Sequence, residues 1–339
     1  MRRPGCRLLA SFLCAGLLIA GRPTQVRTSA AADPAPHPAV EAILHAFARY
    51  PLVAIAELHR NQQVHDFIVS LVNDPRFAAT VDDVVVEFGS ASHQDVIDRY
   101  AAGGTVPMSD LRRVWRDTVN LLVWDAPVYE RFFRTVRTVN QRPHGHAIRI
   151  LLADPPVDWA NARREDWDRA ARTRDEHAAA VIEREVLAKN QRALLIFGSG
   201  HVTRDSAFGP SGAVPERLNV AELLQTRHAG SIFLIWAHMP GWTTNALDPR
   251  LAGWPNPSLA LLNGTWLGAA SVGPPGSPTL EQLADGFLYL GPIRLQTTST
   301  PPLRIYEDRA YFSELLRRDQ IQGGFNTAEL NELRTHLRR

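Results

Sequence analysis

Glu57 and His59 stand two apart in the run Leu52-Val-Ala-Ile-Ala-Glu57-Leu-His59. An imidazole beside a carboxylate is a pairing that can act as a general base or hold a metal ion. Side chains alternate along a strand, so in such a run these two point the same way. A second apolar run, Val84-Val-Val-Glu87-Phe-Gly89, also ends in a carboxylate, followed by a turn glycine. A third, Ile148-Arg-Ile-Leu-Leu-Ala-Asp154, stops before two prolines, where Asp154 could equally start a turn or cap a helix. A fourth delivers Phe197-Gly198-Ser-Gly200-His201, and its glycines let the backbone approach a ligand and aim His201 over the strand end. Ligands of open parallel sheets bind at the carboxyl ends of the strands. A glutamate after one strand is often only solvated. Four strands that each bring an ionisable group to that edge define a candidate site.

The elements that must position these groups are legible as alternating patterns. Apolar runs of strand length fall at 52–59, 83–88, 148–153, 193–197 and 231–237, with weaker ones at 259–262 and 287–290. Helical patterns lie between them, which predicts an α/β fold with a mostly parallel central sheet flanked by helices. Residues 62–71 place Val64, Phe67, Ile68 and Leu71 at helical spacing, so the first unit reads β-α-β. Helical insertions are expected at 109–140, broken at Pro127, and at about 160–190. The stretches 205–217 and 240–258 (with Trp242 and Trp254) read as loops, and 33–38 as a flexible lead-in. On the second long helix, Arg172-Thr-Arg174-Asp175-Glu-His177 puts Arg174 and His177 on one face. Alone, that run is an ordinary charged helix surface. His65 either backs the site or faces solvent. His144 and His146 fall in a loop at the far end of the sheet, and His93, His228, His238 and His336 read as structural.

Residues 1–32 change the bulk numbers. They open with Met1-Arg2-Arg3 and Arg7, continue into an apolar run over 8–20, and end in Ser29-Ala30-Ala31-Ala32. That run suits a signal-peptide core and is shorter than the ~20 residues that span a bilayer. Cleavage after Ala31 or Ala32 is expected to leave a periplasmic or secreted single domain over 33–339. Leu13 before Cys14 lacks the small residue of a lipoprotein signal. Removing the leader lowers the basic count from 37 to 32 against 35 acids, so no nucleic-acid partner is indicated. Cys6 and Cys14 leave with it, and the mature chain then has no disulfide and no cysteine nucleophile. Any metal must be held by imidazole and carboxylate, and any nucleophile is water or a hydroxyl. No HExxH, GxSxG, Walker loop or strand-borne GxGxxG is present. No second apolar run is long enough to cross a membrane.

At Ala56-Glu57-Leu58-His59, Glu87, Arg174-Asp175 and Gly198-Ser-Gly-His201 the sequence resembles the superfamily that joins erythromycin esterases, TIKI/TraB-type proteins and ChaN-like haem-binding uptake proteins. The shared pattern is Gly-Glu-x-His after the first strand, Glu after the second, an Arg-Asp-rich helix and a late Gly-x-x-His. It covers roughly 50–205; residues 218–339 match nothing assigned. One departure is Ala56 in place of the leading glycine. The resemblance implies lactone hydrolysis, metal-dependent peptide hydrolysis, or haem or iron binding. For hydrolysis, His59 is base or ligand, Glu57 and Glu87 its partners, His201 second ligand or acid, and Arg174 the group that meets the substrate anion. Asp154, Asp175 and His177 are further candidates. A divalent metal ion would use Glu57, His59, Glu87 and His201, whereas haem would need an exposed His or Tyr as axial ligand. The favoured expectation is an exported hydrolase acting through activated water on an ester, lactone or amide, with a small-molecule or peptide substrate. The alternative is a haem- or iron-binding uptake protein using the same cleft.

Overall fold

Strands buried on both faces need near-continuous apolar sequence, and the runs of this chain supply it. The computed structural model describes residues 31–143, 146–205, 217–241, 247–273 and 276–337. Eight strands, β1 (His37–Pro38), β2 (Leu52–Glu57), β3 (Asp83–Ser90), β4 (Arg149–Asp154), β5 (Ala193–Gly198), β6 (Ile232–Ala237), β7 (Ser258–Leu261) and β8 (Gly286–Tyr289), form one sheet. Their order is β1-β7-β8-β6-β2-β5-β3-β4. The stretch from β8 through β6, β2, β5 and β3 to β4 is parallel, while β7 and β1 join antiparallel at one edge. Every residue of β2, β3, β5 and β6 is buried. This is the expected α/β class with helices on the sheet faces.

All seven expected strands occur, with ends shifted by one or two residues. One two-residue shift has consequences: β2 stops at Glu57, and His59 lies beyond it in a turn. The chain must turn there because Asn61 caps the helix Gln62–Asn73, its side chain accepting the Val64 N–H at 3.0 Å. Glu57 and His59 therefore meet through a turn, and not through alternation along one strand.

The long helical insertions are each divided. Residues 109–140 become the helices Met108–Arg116 and Pro127–Asn140. Between them, 117–126 is irregular apart from the 3-10 turn Val123–Asp125. Pro127 starts the second helix, where its missing N–H is no loss, so it does not break a continuous one. Residues 160–190 divide at Thr173 into Arg164–Arg172 and Arg174–Glu185. The lead-in 33–38 is not wholly loose, since His37–Pro38 pairs with β7. The loop 240–258 contains the short helix Asp248–Leu251. Unforeseen helices occur at Gln94–Ala101, Val220–Arg227, Arg309–Ile321 and Thr327–His336. The leader up to Ala30, His144, Trp242 and most of the 205–217 loop lie outside the described residues. Among the described residues no helix is long and apolar enough to cross a membrane.

Two apolar clusters result. The larger joins the sheet to its flanking helices. The smaller packs Val119, Leu121 and Leu122 against Val157, Trp159, Ala170, Tyr306, Leu315 and Leu330, tying the C-terminal helices to the irregular 117–126 segment.

Candidate active site

Strand order decides what can meet. β2, β5, β3 and β4 are consecutive neighbours and parallel, so Glu57, His201, Glu87 and Asp154 emerge side by side at one carboxyl edge. Glu57 ends β2, Asp154 ends β4, Glu87 lies near the end of β3, and His201 closes the 3-10 turn Ser199–His201 after β5. The helix Arg174–Glu185 contributes its first two residues, Arg174 and Asp175.

Glu87 is the centre of the cluster. Its Oε2 accepts the Gly198 N–H at 2.6 Å. Its Oε1 lies 3.1 Å from Arg174 Nη2, 3.4 Å from His201 Nε2 and 3.9 Å from His59 Nε2. The Arg174 contact is close enough for an ion pair but off the hydrogen-bond direction. Glu87 Oε1 and Arg174 Nη2 are thus a buried acceptor and a buried donor without hydrogen-bond partners. Such unfilled polar atoms are costly in a core and belong where another molecule supplies the partner.

The outer members are oriented by their own carboxylates. Glu57 Oε1 lies 2.5 Å from His59 Nδ1, and its Oε2 lies 3.2 Å from Nε2 of the buried His65. Asp175 Oδ1 lies 2.6 Å from His201 Nδ1. Asp154 accepts from Arg174 Nε at 2.6 Å and from the Val119 N–H at 2.6 Å. Both imidazoles therefore turn Nδ1 to a carboxylate and Nε2 toward Glu87. The carboxylates Glu57, Glu87 and Asp154 are buried, while the His59 side chain keeps 33% exposure and can reach solvent. Gly198 is required: a Cβ there would stand 2.6 Å from His59 Cε1 and 3.2 Å from Glu87 Oε2.

Burial opposes charge on these groups, and mutual attraction mostly overrides it. Against burial, His201, Arg174 and His59 hold the Glu87 carboxyl well below the usual carboxylate range. Glu57 is lowered by His59 and His65 despite its burial. Burial depresses the His59 imidazole, but Glu57 and Glu87 outweigh it and raise the group above its ordinary value. His201 is pushed up to about 10, burial being outweighed by Glu87 and Asp175. Asp154 is the exception: burial raises it in spite of Arg174.

Of the residues expected from sequence, Glu57, His59, Glu87, Asp154, Arg174, Asp175 and His201 come together. His177 does not join them, because its Nδ1 faces the Ala153 carbonyl at 3.0 Å along β4. His93 and His238 are buried partners of Asp117 and Asp248, as a structural role requires. Three neighbours of the site were not foreseen. The Trp124 ring packs edge-on against His59 with centroids 4.6 Å apart, Tyr129 lies 4.8 Å from His65, and Arg60 binds the Trp124 turn. Arg60 could have been suspected from its place beside His59. Trp124 had no local signal, because its segment continues a helical apolar pattern.

Glu57, His59 and Glu87 each offer a ligand atom within 4.8 Å of the others. In this arrangement they do not fit a resident divalent ion. Both Glu57 oxygens are taken by His59 and His65, and the free Glu87 oxygen faces a guanidinium that would repel a second cation.

No protein-family model and no curated protein matches the sequence. Solved structures do match in fold. A Bacillus cereus protein is similar at 10% identity with a TM-score of 0.53, over 80% of this chain and 97% of that one. A succinoglycan biosynthesis protein is similar at 9% identity with a TM-score of 0.51, over 76% and 94%. An erythromycin esterase variant, EreC in its open conformation, aligns at 12% identity with a TM-score of 0.49, over 74% and 92%. At such identity the likeness concerns architecture.

Proposed function

We propose that this protein is an exported, metal-independent hydrolase that attacks a carboxylic ester, lactone or amide with water activated by His59. The leader-like residues 1–32 support export. The observation that carries the chemistry is the pairing of His59 Nδ1 with Glu57 at 2.5 Å, opposite two cations gathered on one buried carboxylate. The Glu57 bond keeps the proton on Nδ1 and leaves the Nε2 lone pair to take a proton from water. Glu87 Oε1, an unfilled acceptor, holds the other hydrogen of that water. As water adds to the carbonyl carbon, negative charge grows on the carbonyl oxygen, and Arg174 and protonated His201 face it. His201 then gives its proton to the departing oxygen or nitrogen as the acyl bond breaks. These roles require His59 to be neutral while His201 keeps its proton, and both imidazoles are raised above the ordinary value, His201 to about 10. The cavity lined by Glu87, Arg174, Asp175 and His201 is only about 10 Å³. That is far below the ~300–1,000 Å³ of pockets that enclose drug-sized ligands, so a porphyrin is poorly served there.

The test uses chelator-treated mature protein with p-nitrophenyl acetate and a simple lactone. Hydrolysis is expected, with kcat/KM reduced by about 10²–10⁴ in His59→Ala. Activity should rise as His59 loses its proton, above the ordinary imidazole value of 6.5, and fall again as pH approaches about 10, where His201 deprotonates. A folded protein that hydrolyses neither compound, or a His59→Ala variant with full activity, sinks the proposal. Stoichiometric haem binding with a Soret band and no hydrolysis would move the site to the uptake class.

A further inference from the structure

Arg60 follows the base directly, and its backbone is left-handed at φ 67°. Among the described residues only Leu122, at φ 65°, and Asn190 share positive φ without being glycine. Asparagine tolerates that region; arginine and leucine are disfavoured there and persist only where surrounding contacts over-determine them. These two strained residues are bonded to each other. Arg60 Nη2 donates to the Leu122 carbonyl at 2.8 Å, and Arg60 Nε donates to the Val123 carbonyl at 3.0 Å. The Arg60 N–H is taken by the Tyr129 hydroxyl at 2.9 Å. A guanidinium that forms no ion pair among the described residues and bonds to two successive carbonyls is serving geometry.

What it holds is the ring against the base. Trp124 follows those carbonyls, is buried, and packs edge-on against His59 at 4.6 Å. The Trp124 indole N–H has no acceptor among the described residues. The ring is therefore fixed by packing and by its backbone turn, not by a bond of its own. His59 is anchored by a single Nδ1 bond to Glu57, which leaves rotation of the imidazole about that contact to be limited by its neighbours.

We propose that Arg60 is a positioning residue that straps the 122–124 turn to the catalytic loop and so keeps His59 Nε2 aimed into the site. The inference rests on the hydrolase reading for its rate consequence, but not for its effect on the imidazole. Loss of the strap lets Trp124 withdraw and His59 swing, so the rate suffers while substrate binding does not. In Arg60→Ala, kcat on p-nitrophenyl acetate should fall by about ten- to a hundredfold, with KM within about twofold. Arg60→Lys retains the charge but cannot bond both carbonyls in a fixed fork, so it should fold and show most of the same loss.

The readout that a merely structural role would not move is the His59 ring itself. Its ¹H–¹⁵N imidazole signals, followed through a pH titration, should shift in position and midpoint in both variants, while the His201 signals stay. If Arg60→Ala does not fold, Arg60→Lys decides. A folded variant with wild-type kcat and an unchanged His59 titration overturns the proposal. A wild-type protein without esterase activity would defeat the hydrolase reading, and the imidazole titration would still judge the strap.

Discussion

The sheet core and the C-terminal cluster position the site by different physics. Around β2, β5 and β3 the interior is aliphatic: Ile55, Val85 and Ile196 are fully buried, with Leu234 beside them on β6. Apolar burial has no direction, but the parallel ladders on both sides of β2 and β5 fix the register. The strand ends, with Glu57, Glu87 and Asp154, are placed as a consequence. The smaller cluster has no ladder. Its irregular 117–126 segment is held by directional bonds from His93, from the helix before it and from the helix Arg309–Ile321 with the residue that follows it. Asp117 pairs with His93, Arg113 and Arg318, all near 2.9 Å. Asp125 pairs with Arg116 at 2.9 Å and with the Tyr311 hydroxyl at 2.5 Å, and Gln322 binds the Val119 carbonyl at 2.8 Å. Carboxylates of the site thus ride on hydrophobic burial, whereas the backbone turn that carries Trp124 is held by a buried polar network, its ring packing into the sheet cluster against Phe88 and Tyr129.

The strongest way to break that contrast is to remove the hub of the network. Asp117→Ala strips one of the two carboxylates from the Arg318 guanidinium, which keeps only 10% side-chain exposure and retains Glu314 at 2.6 Å. The expected cost is about 1–3 kcal/mol in denaturant unfolding, with a loss of the proposed esterase activity beyond what the remaining folded fraction explains. A change below about 1 kcal/mol would mean that the aliphatic residues of the second cluster hold it unaided.

Protonating the same hub should act in the same direction and less severely, because the carboxyl stays in place as a hydrogen-bond acceptor. His93 and Arg318 outweigh burial and hold Asp117 far below the ordinary carboxylate value of 3.8. Its folded-state value is depressed, so its stabilisation is present above 3.8 and is lost as pH falls toward the folded value. Acid titration should loosen the second cluster before the sheet. Near-ultraviolet circular dichroism from Trp159 and Tyr311 should change at higher pH than the far-ultraviolet signal. Coincident transitions would show one cooperative unit with no weaker part.

The same contrast explains what the sequence disclosed. Five of the parallel strands and four of the site groups were legible because doubly buried strands write themselves as apolar runs, and because the polar residue closing each run stands out. His201 was legible through its glycines, and Gly198 indeed sits where any side chain would strike His59. The 117–126 break was not legible. Val119, Leu121, Leu122 and Trp124 continue a plausible helical pattern, and the bonds that unwind it come from Asp154, Arg318 and Gln322. β1 was missed because two residues, one a proline, carry no periodicity; only its partner β7 makes it a strand. His177 was misplaced for a related reason: sharing a helix face with Arg174 does not fix where the imidazole turns.

The smallest expected effect tests the sheet's side of the comparison. Ile196 lies in the middle of β5, opposite Ile55 on β2 and Val86 on β3, and is fully buried. Ile196→Val removes one methyl group and should cost about 0.5–1.5 kcal/mol in chemical denaturation. Ladder hydrogen bonds flank that position on both sides, so Gly198 and the Glu87 carboxylate it binds should stay in place, and kcat should be unchanged. Arg60→Ala is expected to do the reverse, costing rate out of proportion to stability. If the methyl deletion in β5 slows hydrolysis as much as the loss of the strap, the strand ends are as loosely held as the Trp124 turn, and ladder register is not what secures the carboxylates.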